Sequence, residues 1–366
     1  MKRSWMARTG VAAVLACALG LPAMRAAASA DLPAQLGDKD YWKLISDFSE
    51  ANGYFRSDNL LSNEIWFQYI VPELVGYLKP GGVYLGVGPE QNFTYIAALK
   101  PRMVFIIDIR RGNMHTQLMY KALFELSADR ADFVSMLFSR KRPEGLTASS
   151  TVQEIFSAVA AAPRTDEIFK ENVKKIADHL TKKRNLPLPK EDVDGIEIVY
   201  SHFYTYGPSI TYNSSSGGGG RGSMSTYATL MTTTDGAGQS RSYLANEALF
   251  GVMKELQSKN LLVPVVGDFA GPKAIRSVGK YLKDHGATVT AFYLSNVEQY
   301  LNQNSVWQSF CNNVASLPLS DLSTFIYSAN NAGGGGGGGG LSSWYRPMLA
   351  DVKTYSCTAG QTTAMR

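Results

Sequence analysis

Gly82-Val83-Tyr84-Leu85-Gly86-Val87-Gly88-Pro89-Glu90-Gln91-Asn92 is followed, one helix later, by Met103-Val104-Phe105-Ile106-Ile107-Asp108. The first run reads as a short apolar strand entering a glycine turn. A helix continues through Leu99, and the second run is a fully apolar strand ending in an acid. Strand, glycine turn, helix and strand make a βαβ unit. Asp108 stands 22 residues after Gly86, about where a carboxylate reaches the ribose hydroxyls of a bound nucleoside.

A second unit lies near the C-terminus. Leu261 to Val266 is an apolar strand, and Gly267-Asp268-Phe269-Ala270-Gly271 is its exit turn. Pro272 suits a first helical turn, Ile275, Val278 and Leu282 share a helix face, and Gly286 closes it. Thr288 to Leu294 is the next strand, leaving through Ser295-Asn296-Val297-Glu298. The two units together predict an α/β fold with a doubly wound, mostly parallel, Rossmann-like sheet. Small and polar residues fall at the strand carboxyl ends, where open sheets of this class bind ligands.

Outward from these units the chain divides into N-terminal helices over 38–79, an insertion over about 111–260 and a C-terminal region over 299–366. Tyr41, Trp42, Leu44, Ile45 and Phe48 recur at helical spacing. Trp66, Tyr69, Ile70, Leu74 and Leu78 mark a second helix, kinked or restarted at Pro72. Tyr41, Trp42, Trp66 and Tyr69 read as core. Within the insertion His115 to Leu126 and Arg130 to Ser139 read as helices. Phe169, Val173, Ile176 and Leu180 make an apolar stripe backed by a solvated charged face. Ile196 to Tyr204 reads as a strand. Gly217–Gly220 and Gly333–Gly340 read as flexible surface insertions, not phosphate loops, since no strand precedes them and no Lys-Ser/Thr follows.

With 366 residues, 45% apolar and 18% charged, the chain has the composition of a large globular domain. Residues 31–366 read as a single such domain. The net charge of +5 is concentrated at the start, where Lys2, Arg3, Arg8 and Arg25 stand without an acid in residues 1–30. The nearly balanced remainder gives no basis for nucleic-acid binding. Val11 to Leu21 is apolar but shorter than the roughly 20 residues a spanning helix needs. With the basic start and Ala28-Ser29-Ala30, it reads as a signal peptide cleaved after Ala30. The expected location is therefore periplasmic or secreted, with no segment integral to the membrane. Beyond it only Cys311 and Cys357 remain, which form one bridge in an oxidising compartment or stand as two buried thiols. The four histidines carry no metal-binding spacing, so no metal site is expected.

Residues 82–110, and more loosely 261–298, resemble the nucleoside-binding core of class I S-adenosylmethionine-dependent methyltransferases. Gly86, Gly88 and Asp108 fit that pattern; Tyr84 stands where the pattern has an acid, and Glu90 where it has a third glycine. The wider chain resembles a group of uncharacterised exported bacterial proteins with that kind of core. The resemblance rests on Phe55-Arg56-Ser57-Asp58-Asn59, Val87 to Asn92, Val266 to Gly271 and Phe292 to Glu298. It implies a Rossmann-like fold and S-adenosylmethionine as cofactor, met by Gly86, Gly88, Glu90, Asn92 and Asp108. Glu90 at a helix start repels an anion, which disfavours a dinucleotide pyrophosphate and penalises a sulfonium-bearing nucleoside less.

Each candidate has a plainer reading. Gly86 and Gly88 serve a tight turn as readily as ligand approach. Asp108 holds ribose, or pairs with Arg110 or Arg111. Asp268 and Glu298 are catalytic acids, or caps of the following helices. Asn296 meets substrate or satisfies a turn. His202, at the end of its expected strand, is the candidate general base, or a structural histidine. Ser57, Asp58 and Asn59 lie in a polar loop placed to fold over the cleft as a lid and contact substrate. Three functions remain: a methyltransferase, an exported small-molecule-binding protein on the same fold, and a surface interaction module. Cytoplasmic cofactor and exported chain pull against each other.

Overall fold

The computed structural model describes residues 31–214, 225–330 and 341–359. Residues 1–30, where a signal peptide is expected, and the glycine runs at 217–220 and 333–340 lie outside these residues. The elements in chain order begin with α1 (Asp38–Phe48), α2 (Val71–Tyr77), β1 (Val83–Gly86), α3 (Gln91–Leu99) and β2 (Met103–Asp108). The insertion contributes α4 (Arg111–Leu126), α5 (Arg130–Leu137), α6 (Val152–Ala161), α7 (Asp166–Asp178), α8 (Lys190–Tyr206), α9 (Tyr227–Thr232) and α10 (Glu247–Ser258). The chain ends in β3 (Leu262–Val266), α11 (Ala274–Asp284), β4 (Val289–Ser295), α12 (Val297–Gln303), α13 (Trp307–Ala315), β5 (Leu319–Asn330), β6 (Leu341–Pro347) and α14 (Met348–Thr354).

The six strands form one sheet in the order β3-β2-β1-β4-β5-β6. The first five are parallel to their neighbours, and β6 closes the edge antiparallel to β5. Every residue of β1, β2 and β3 is buried, which is why they read as unbroken apolar runs and not as alternating ones. The direction in which the sheet grows reverses between β1 and β4, a mostly parallel α/β arrangement consistent with a Rossmann-like fold.

The insertion is helical. Five of its helices are capped by side chains suited to that role, α9 by Thr226, which accepts from Thr229 N–H. In the other four, Asp129, Thr151, Thr165 and Asn246 each accept a hydrogen bond from a backbone amide in the first turn. Residues 196–204 lie inside α8, so the strand expected there is a helix. Its Ile196, Val199, Tyr200 and Phe203 are buried, and that spacing is helical rather than alternating. Pro72 sits at the start of α2, after a 3₁₀ turn over Phe67–Ile70, so the second helix restarts there. Tyr41 is buried and Trp42 packs against the core, but Trp66 and Tyr69 are corrections: both are exposed at the surface, edge to face with one another.

α1 delivers its following residues to the sheet. Glu50 N–H donates to the Val266 carbonyl, and the Glu50 carboxylate accepts from the amides of Asp268, Lys273 and Ala274 at 3.1, 2.8 and 2.8 Å. An internal anion thus fills the amide-rich entrance to α11, the usual place for a phosphate. Cys311 of α13 and Cys357 form a disulfide with 5.5 Å between their Cα atoms. No helix among the described residues is long and apolar enough to cross a membrane.

Candidate functional site

A cleft with about 1120 Å³ of empty space, counting its open mouth, lies where β1, β2, β3 and β4 end. Val87, Gly88 and Pro89 line it after β1; Asp108, Ile109 and Arg110 at the end of β2; Gly267, Asp268 and Phe269 after β3; Ser295, Asn296 and Val297 after β4. It therefore opens at the reversal of strand order, the place at which sheets of this kind form ligand crevices.

The two glycines of the turn serve different needs. A Cβ on Gly86 would collide with Asn92 Oδ1 and press on the Tyr84 ring. Gly88 has φ +77° and nothing within 4 Å of a Cβ position, so its backbone needs glycine while the space beside it stays open. Asn92 is fully buried and is the clasp of the turn. It accepts from the Tyr84 hydroxyl at 3.0 Å and donates to the carbonyls of Val87 and Pro89 at 2.9 and 2.8 Å. Tyr84, which stands where the methyltransferase pattern has an acid, is thus a partner of the clasp.

Glu90 is also fully buried, behind the turn and outside the cleft lining. Burial pushes its carboxyl up to about 8, against the opposing effect of the Ser62 amide, which donates to Oε1 at 3.3 Å. At neutral pH the proton-bearing form dominates. In that form Glu90 carries no charge with which to repel an anion at the helix start.

Asp108 lines the cleft while remaining almost wholly buried. Burial raises its carboxyl pKa, opposed by the Arg110 charge and by the amides of Arg110 and Gly88. Its Oδ1 accepts from Arg110 N–H at 2.9 Å. Asp268, half-buried, lines the cleft, and its Oδ1 accepts from Ala270 N–H at 2.9 Å.

The polar loop crosses the cleft. On one side Gly53 N–H donates to the Ile109 carbonyl at 2.8 Å, and Arg110 Nη1 donates to the Asp58 carbonyl. On the other, Phe55 packs edge to face on Tyr300 of α12 at 5.1 Å, and Arg56 donates to the Tyr300 hydroxyl at 3.1 Å. Tyr54, Phe55 and Asn59 line the cleft. Ser57 faces the Tyr212 hydroxyl and the Asn59 amide, and the Asp58 side chain is exposed.

Of the residues singled out from the sequence, the cleft thus brings together Asn59, Gly88, Asp108, Asp268 and Asn296. It leaves out two of the three catalytic candidates. His202 sits on α8, its ring parallel to that of Tyr206, and not at a strand end. Glu298 is held by Arg346, which also pairs with Asp351. His115 and His179 are likewise engaged, with Asp192 at 2.8 Å and Glu125 at 2.7 Å.

Three contributors escape a reading of the sequence: Tyr212 and Tyr300 in the lining, and Glu64 beneath it. Fully buried Glu64 accepts from Gln91 at 2.6 Å, Tyr293 at 2.7 Å and Ser295 at 2.6 Å, fixing three residues of the cleft wall. An acid set between the apolar pairs Leu60-Leu61 and Ile65-Trp66 is its one signal.

No curated protein matches the chain. A family model, DUF7790, matches residues 57–191 and 210–333, more than half of the chain and every strand exit of the cleft. The chain therefore belongs to the DUF7790 family, whose description is a domain of unknown function.

Proposed function

We propose that the protein is a doubly wound, methyltransferase-like protein whose cleft binds S-adenosylmethionine or a closely related nucleoside. The observation that carries this reading is the pairing of open space beside Gly88 with the buried Asp108 carboxyl, where the strand order reverses. Asp108 would hold the ribose hydroxyls, and the turn clasped by Asn92 would let the nucleoside approach the backbone. The cofactor supplies an activated methyl group, so the chain's own part is alignment, exclusion of water and uptake of a proton. Among the residues proposed for proton uptake, Asp268 is the one in the lining, and Asn296 is placed to orient an acceptor. Asp108→Ala should weaken S-adenosylhomocysteine binding by about 1–3 kcal/mol, the cost of stranding buried polar partners. Unchanged affinity in calorimetric titration removes the ribose assignment.

The engagement of His202 and Glu298 outside the cleft favours a second reading, an exported protein that binds the ligand without turning it over. Export is supported by the Cys311–Cys357 bridge, which suits an oxidising compartment, together with the signal pattern before Asp31. Transfer of labelled methyl to any acceptor separates the two readings.

A further inference from the structure

Arg110 is the unusual side chain of the cleft. It is 8% exposed, lines the cleft, and carries two guanidinium nitrogens, Nε and Nη2, that are buried without a hydrogen-bond partner. Nε forms an ion pair with Asp108 Oδ1 at 3.5 Å, too long for a full hydrogen bond, and Nη1 donates to the Asp58 carbonyl, which leaves Nη2 without a partner of either kind. A guanidinium in this state lacks the fork-shaped acceptor that its geometry fits. Two further donors stand close by. Tyr212 lines the same end of the cleft; burial raises its hydroxyl pKa, while the charges of Arg110 and Arg56 both oppose that rise. α4 begins directly after Arg110, so the positive end of a helix of 16 residues points to the same place. The one acid at this end of the lining, Asp108, has its carboxyl pKa raised by burial, against the opposing Arg110 charge.

We propose that the loop-side end of the cleft is an oxyanion site, in which Arg110 holds a carboxylate or phosphate group of the bound small molecule, with Arg56 and Tyr212 beside it. The site shares the cleft with the nucleoside reading but does not require a nucleoside. The ligand chemistry is a planar or tetrahedral oxyanion presenting two acceptor oxygens to Nε and Nη2. Filling it would also tie the anion to the Asp58 carbonyl through the same guanidinium, so ligand and loop would close together.

The test titrates the full chain separately with inorganic phosphate and with acetate, and in parallel with adenosine. It uses the wild type, Arg110→Gln, Arg110→Lys and Arg56→Gln, with cooperative melting as the check of folding. One of the two anions should saturate the wild type, and the better of them names the group. Arg110→Gln should weaken it by about tenfold or more, and Arg110→Lys should recover part of that loss. If Arg110→Gln fails to fold, Arg56→Gln, on the exposed part of the loop, should still weaken the anion by about two- to fivefold. Saturation by neither anion, or saturation indifferent to Arg110→Gln or to Arg56→Gln, overturns the oxyanion site. Adenosine binding without anion binding sinks this site and leaves the nucleoside reading, and the converse sinks the nucleoside reading alone.

Discussion

Glu90 shows how a single residue's surroundings reverse its meaning. At a helix start a carboxylate is anionic and favours the helix dipole, but here burial holds it protonated up to about pH 8. The sign of the pH dependence follows. Between the unfolded value near 4.3 and about 8 the folded chain binds one proton more than the unfolded chain, so stability falls as pH rises through that window. Glu90→Gln keeps the shape without the charge. It should melt close to the wild type near pH 4 and gain on it up to pH 8, by on the order of a few kcal/mol. Melting curves across that range check it; a difference that is flat with pH contradicts the buried neutral acid. Gly86 gives a second prediction at this scale. Gly86→Ala should destabilise by on the order of 1–3 kcal/mol, because its Cβ meets the Asn92 clasp, and denaturant unfolding measures it.

Among the elements, the loop over the cleft is held at both ends by contacts that can be cut separately. Tyr300→Ala removes the ring on which Phe55 packs and the hydroxyl that Arg56 reaches. Trypsin should then cut after Arg56 severalfold faster, since cleavage follows local opening. Equal rates would mean the loop is held from the β2 side, by its Ile109 and Arg110 contacts. The same elements show what the sequence can and cannot disclose. β1 to β4, the glycine turn and Asp108 are legible because buried parallel strands are apolar throughout and their exits are small and polar. β5 and β6 are not: Leu319 to Asn330 is rich in serine, and a glycine run separates the two strands. α8 reads as a strand because Ile196, Ile198 and Tyr200 alternate locally, while its full helical period emerges only over the 17 residues of the element. Trp66 and Tyr69 read inward on their chemistry, which does not fix the face of a short 3₁₀ turn.

For the whole molecule, the candidate site is distributed over four strand exits and one distant loop. The sequence marks the exits and the loop, but Arg110, Tyr212 and Tyr300 acquire their place only when β2, the insertion and α12 converge. The disulfide acts at this scale too. Cys311 and Cys357 are 46 residues apart in sequence, and a cross-link closing such a loop constrains the unfolded chain by about 4 kcal/mol if its effect is entropic. Cys311→Ser should lower stability by up to that amount, and wild-type protein under reducing conditions should match the variant. A variant as stable as the oxidised wild type would mean the bridge is idle.

Whether the cleft at the strand ends is a nucleoside site is decided by calorimetric titration of the purified chain with S-adenosylhomocysteine. Saturable one-to-one binding in the roughly micromolar range is the expected result. Absence of saturation in protein that still unfolds cooperatively would contradict the nucleoside reading, leaving the glycine turn as architecture alone.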